Sequence, residues 1–124
     1  MNIQIDIDGT IDKAPEFFKW LTQNLRASNH KVSIVSSRTS SPQNDKATSE
    51  ELKEYCVIYD KLILTPTLKD LDSKRFPPGM NMGEKLYIYK LFTAVDNNIE
   101  VLFDDCGITT ELFRKHLPQI KVFR

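Results

Sequence analysis

Six side chains able to bind an ion or an anion each follow directly on an apolar run. Asp6 and Asp8 stand at the end of the first run, Ser36 and Ser37 at the end of the second, and Asp104 and Asp105 at the end of a third. Carboxylates brought together repel one another unless a cation joins them. Hard oxygen ligands of this kind suit Mg²⁺, which keeps several waters and takes phosphate oxygens. The expected chemistry is therefore that of a Mg²⁺-dependent phosphate site. Gly9 and Thr10, next to Asp8, add backbone N–H groups that can approach an anion closely, because glycine has no Cβ.

For these residues to meet, the runs before them must be neighbouring strands. Ile3, Ile5 and Ile7 alternate along Asn2 to Ile7, and Asp8-Gly9-Thr10 breaks the run, which predicts a strand and a turn. Pro15 opens an amphipathic helix through Ser28, with Phe17, Phe18, Leu21 and Leu25 at helical spacing. Lys31 to Ser36 is a second strand, and the polar stretch Ser37 to Asp45 reads as a loop. Thr48 and Glu51 have the spacing of a capping box for a second helix. Lys61 to Leu64 follows as a third strand, Thr65 to Gly83 as a long connection and Lys85 to Val95 as a helix. Glu100 to Phe103 is a fourth strand, Thr109 or Thr110 caps a short helix through His116, and Ile120 to Phe123 is a fifth strand. Alternating strands and helices predict an α/β fold with a doubly wound, mostly parallel five-stranded sheet. In such sheets ligands bind beyond the carboxyl ends of the strands, where strand order reverses.

Composition bounds the rest. At 124 residues, with 17 Lys+Arg against 17 Asp+Glu, the chain has the size and balance of one domain spanning 1–124. A net charge of zero lacks the electrostatic footprint of a general nucleic-acid binder. Cys56 and Cys106 read as reduced thiols, no apolar stretch is long enough to span a bilayer, and a cytoplasmic location is expected. Trp20, Phe17 and Phe18 read as core and helix surface rather than a stacking platform.

The ordered motifs resemble those of the haloacid dehalogenase-like (HAD) hydrolases. Ile5-Asp6-Ile7-Asp8-Gly9-Thr10-Ile11 is similar to the first signature of that family, and Val32 to Arg38 to the second. Lys85 stands where the third-signature lysine would stand, with Lys90 as its competitor, and Val101 to Asp105 resembles the fourth signature. The resemblance implies a phosphatase with a Rossmann-like core. Asp6 would be the nucleophile, forming an aspartyl phosphate, and Asp8 the acid and then the base. Ser36 would hydrogen-bond the phosphoryl group, Lys85 would offset charge on the phosphate and on Asp6, and Gly9, Thr10 and Ser37 would contribute to phosphate binding. Mg²⁺ would be held by Asp6, by the backbone carbonyl of Asp8 and by one acid of the closing pair, Asp105 with Asp104 as its competitor, the other acid orienting the lysine.

Only about six residues separate the first strand from the first helix, and the stretch from Ser36 to Lys85 is spent on a helix, a strand and one loop. Neither place has room for a cap domain. A capless site suits a macromolecular phosphoester, or a small one covered by a second copy of the chain or by the Thr65 to Gly83 loop. Two other readings compete with a phosphatase. One is a phosphoryl-accepting module like a receiver domain, but receivers carry their acid pair on the first strand and the phosphorylated acid later. The other is a catalytically silent HAD-like binding protein, although no member of the chemical set is missing.

Overall fold

A computed structural model describes residues 1–67, 75–76 and 79–124 of the chain. Five strands form one sheet: β1 (Asn2–Ile5), β2 (Lys31–Thr39), β3 (Lys61–Thr65), β4 (Val101–Phe103) and β5 (Lys121–Phe123). Their order is β3-β2-β1-β4-β5 and every pairing is parallel. The chain winds outward from β1 to β3 and then returns to the other side of β1. Strand order therefore reverses beside β1, where the carboxyl ends of β1 and β4 open a crevice.

Helices cover both faces. Those described are α1 (Pro15–Ala27), α2 (Pro42–Glu54), α3 (Met82–Asp96) and α4 (Gly107–His116). Ile3, Ile5, Val32 and Ile34 bury one face of the sheet against Phe18 of α1 and Leu52 of α2. On the other face Leu102 packs with Leu91 and Ala94 of α3 and Phe113 of α4. β-Branched residues at alternate positions of β1 and β2 fill the first layer, and both faces are apolar, as a sheet covered on two sides requires.

Several boundaries differ from those expected from sequence. β2 runs on to Thr39, because a bulge between Ser36 and Thr39 lets Thr39 pair with Thr65, so Ser37 and Arg38 lie in the strand rather than in a loop. α2 begins at Pro42, six residues before Thr48: the Ser41 hydroxyl accepts from the Asn44 N–H and Pro42 takes the first turn. Thr48 is buried within that helix instead of capping it. α3 starts at Met82, capped by Asn81, and α4 starts at Gly107 rather than at Thr109 or Thr110. Within the expected Thr65 to Gly83 connection, residues 68–74 and 77–78 lie outside the described residues, and with them any closure over the site.

Candidate phosphoryl-transfer site

β1 ends at Ile5, and the Asp6 N–H donates to the Phe103 carbonyl of β4 at 2.9 Å, which fixes Asp6 at the switch point. The chain then turns sharply through Ile7–Ile11, whose ends, Ile7 and Ile11, are fully buried. Gly9 makes the turn with φ +82, a left-handed conformation that costs an L side chain about 1–2 kcal/mol. A Cβ built at Gly9 would stand 2.1 Å from Oδ2 of Asp105. The glycine therefore lets the β1 turn and the β4 acids close on one another. Thr10 completes the contact: its hydroxyl accepts from the Asp105 N–H at 3.2 Å and donates to Oδ1 of Asp105 at 3.4 Å.

At the centre, Lys90 of α3 is buried, and its ammonium donates to Oδ1 of Asp6 at 3.0 Å and to Oδ2 of Asp104 at 2.8 Å. The other oxygen of Asp104 accepts from the Cys106 N–H at 2.9 Å. Burial pushes the Asp6 carboxyl up to about 6; Lys90 acts against this and the neighbouring Asp104 reinforces it. Lys90 is itself held above its ordinary value, since its two acids outweigh the desolvation that would lower it. The asymmetry is physical: one lysine gains from two carboxylates, whereas each carboxylate has only a share of one lysine.

Oxygens of Asp6, Asp104 and Asp105 lie within 4.8 Å of one another. Octahedral Mg²⁺ with bonds of about 2.1 Å places its ligand oxygens roughly 3 to 4.2 Å apart, so small side-chain adjustments suffice to reach one ion. Charge supports the same assignment. Three carboxylates against one ammonium leave two negative charges, the amount a divalent cation offsets. Both oxygens of Asp104 already have donors, while Asp105 is exposed, which leaves Asp6 and Asp105 the freer ligands.

Arg38 grips Asp8 with two bonds, Nε to Oδ2 at 3.0 Å and Nη2 to Oδ1 at 2.8 Å. The same guanidinium binds Glu51 of α2 at 2.6 Å and the Thr48 hydroxyl at 3.3 Å. The Arg38 hydrogen bonds hold the Asp8 carboxyl below its usual range. A fork of this geometry restricts how the carboxylate points as well as its charge.

A cavity of about 240 Å³ opens onto these groups and is lined by Asp6, Asp8, Lys90 and Asp105, together with Ser37, Tyr87, Cys106 and Thr109. The structure thus gathers Asp6, Asp8, Asp104 and Asp105 as the sequence implied, but not every expected partner. Lys85 does not reach the acids: its ammonium lies 5.6 Å from the centre of the Phe76 ring, and Lys90, further along the same helix, takes the central place. Ser36 is buried, and its hydroxyl accepts from the Arg38 N–H, whereas the exposed Ser37 borders the cavity. The Gly9 N–H is already donated to Asp12 at 2.7 Å, so this turn serves the approach of Asp105 rather than a free anion. Tyr87 was not singled out from sequence, and Thr109 was read only as a helix cap. Tyr87 precedes Lys90 by three residues, hence about one turn, and could have been found from that spacing. The buried Thr109 hydroxyl has no hydrogen-bond partner among the described residues, and no sequence signal marks it as part of the site.

Comparisons with known proteins support the fold. No family model matches the chain, and no curated protein sequence matches it. Among solved structures, a chain of the Pnkp1/Rnl/Hen1 RNA repair complex superposes with a TM-score of 0.70 at 17% identity, over 99% of this chain and 41% of its own. A second structure of the Pnkp1/Rnl/Hen1 complex gives 0.68 at 19% identity, covering 99% and 45%. The present chain spans less than half the length of either. Among the described residues, no helix is long and apolar enough to cross a membrane.

Proposed function

We propose that this chain is a Mg²⁺-dependent phosphatase of the HAD-like type that hydrolyses a phosphate monoester through an aspartyl phosphate on Asp6. The observation that carries the reading is the buried Asp6–Lys90–Asp104 group, with Asp105 close enough to share one cation. A bound Mg²⁺, held by Asp6 and Asp105 with Asp104 beside them, would neutralise charge on the transferring phosphoryl oxygens.

The chain's own residues supply the remaining steps. A carboxylate oxygen of Asp6 attacks phosphorus, the ester P–O bond breaks, and the leaving oxygen takes a proton from Asp8. Water then attacks the same phosphorus, its proton passes to Asp8, and the bond to Asp6 breaks to release phosphate. Lys90 keeps Asp6 oriented and offsets its charge, which binds the nucleophile in place without protonating it. Ser37, which lines the cavity, would hydrogen-bond a phosphoryl oxygen. Arg38 stabilises the ionised Asp8 that the second step requires, while its bonds to Glu51 give it a second anchor when Asp8 carries a proton.

Hydrolysis of an activated aryl phosphate tests the reading directly. Turnover should require Mg²⁺, stop with chelator and be lost in Asp6→Asn; wild-type rates in Asp6→Asn would refute it. Because both structural neighbours are named as parts of an RNA repair complex or its component assembly, phosphorylated RNA ends belong in the screen of phosphoesters that follows.

A further inference from the structure

On the α1 side of the acidic site, five aromatic rings form a continuous chain. Phe123 of β5 stacks on Phe103 at 5.1 Å, and Phe103 meets Phe18 edge to face at 5.7 Å. Phe18 meets Phe17 edge to face at 5.0 Å, and Phe17 adjoins Trp20 at 6.1 Å. The middle of this chain is packed, but its ends are in water: Phe17, Trp20 and Phe123 are 46%, 59% and 52% exposed. Leaving large rings half in solvent forgoes part of the stabilisation that burying them would bring, and three on one surface form a patch with a use.

The four phenylalanines wall a cavity of about 320 Å³. Lys13 and Arg124 also line it, and neither is ion-paired among the described residues. Gly9, Thr10, Ala14 and Asp104 complete the lining, which makes this groove contiguous with the turn that carries the phosphoryl-transfer acids.

We infer that the groove binds single-stranded nucleic acid, with bases stacked on Phe17, Trp20 and Phe123 and backbone phosphates paired with Lys13 and Arg124. Flat exposed rings interleaved with unpaired cations are the two elements of a single-strand platform, since every base offers a π-face and every linkage a negative charge. A protein segment or a second copy of this chain would use the rings and leave the cations unmatched. Single-stranded nucleic acid uses both, and it carries phosphate esters to the adjoining acids. That last argument rests on the phosphatase reading, whereas the ring and charge arguments do not. Only two cations take part, which agrees with a chain of zero net charge and implies a weak salt dependence.

Binding is measured with Asp6→Asn protein and a short, unstructured, unphosphorylated oligonucleotide, so that turnover plays no part. Trp20 is the chain's single tryptophan, and its emission should be quenched saturably. Anisotropy of the labelled oligonucleotide should give a log–log salt slope of about −1.4, the value for two single-strand phosphate contacts. Further substituting Phe17→Ala and Phe123→Ala should weaken binding about tenfold or more, and Lys13→Ala with Arg124→Ala should bring the salt slope close to zero. Trp20→Ala, at the exposed end of the ring chain, provides a second variant read by anisotropy if the phenylalanine pair fails to fold. The inference is overturned by absence of saturable binding, by affinity indifferent to the ring substitutions in folded protein, or by sedimentation showing the same rings buried in a dimer that excludes the oligonucleotide. Aryl phosphate hydrolysis, measured separately in otherwise wild-type protein carrying Phe17→Ala and Phe123→Ala, should be unchanged. Loss of oligonucleotide binding and loss of phosphatase activity therefore report on different claims.

Discussion

Replacing Asp6 by Asn should remove a specific pH dependence of stability in chelator-treated protein. Burial raises the folded-state carboxyl from 3.8 to about 6. The folded state then binds the proton more tightly than the unfolded state, so this group's contribution is most favourable below pH 3.8. It declines as pH rises from about 4 to 6 and is constant above that window. The difference, 6 less 3.8, is about 2.2 pH units, or a ceiling of roughly 3 kcal/mol at 1.36 kcal/mol per unit. Urea unfolding of wild type and Asp6→Asn, both in chelator, should be followed from pH 4 to pH 7.5. Groups common to both proteins cancel in the difference, and the wild type should lose up to about 3 kcal/mol relative to the variant across that range. Parallel profiles would refute the claim that Asp6 is an acid held in place against its own desolvation. Mg²⁺ should then stabilise wild type at pH 7.5 and leave the variant nearly unaffected.

Lys90→Ala leaves two buried carboxylates without their cation and should cost about 3–5 kcal/mol by chemical denaturation, with loss of turnover. Lys85→Ala should keep turnover within about twofold of wild type, since that ammonium lies on Phe76 and does not reach the acids. Gly9→Ala should displace Asp105 and strain the turn, lowering Mg²⁺ affinity in calorimetry and costing at least about 1 kcal/mol of stability. Arg38→Ala releases the Asp8 carboxyl upward toward its ordinary value. The Asp8 carboxyl titration, followed by NMR in chelator-treated protein, should therefore move to higher pH in the variant.

Residue spacing gave clear signals for the fold and for the acids, because both depend on local pattern. Alternating Ile3, Ile5 and Ile7, the Asp-Gly-Thr break and the apolar run before Asp104 each specify a strand and its end within a few residues. The α/β order of those elements implied the doubly wound sheet, and the sheet's switch point gathers Asp6, Asp8, Asp104 and Asp105. Lys90 was less legible, since Lys85 and Lys90 both occupy α3 and only the packing of that helix on the sheet decides which one points inward. Ser37 and Arg38 were obscured by a bulge that pairing with β3 creates, a non-local cause that composition does not record. The exposure of Phe17 and Trp20 was equally hidden: helical spacing places them on α1 but does not say how much of that face the rest of the fold covers.

The central claim concerns a covalent bond to Asp6, and trapping that bond tests it most directly. Asp8→Asn protein with Mg²⁺ should be mixed with an activated aryl ester of radiolabelled phosphate and quenched in acid. An activated leaving group departs without a proton donor, while water attack lacks its base, so phosphoryl enzyme should accumulate toward one label per chain. The label should be released by hydroxylamine and be absent when Asp6→Asn is combined with Asp8→Asn. Free phosphate formed with no protein-bound label, or label that persists without Asp6, would contradict the account.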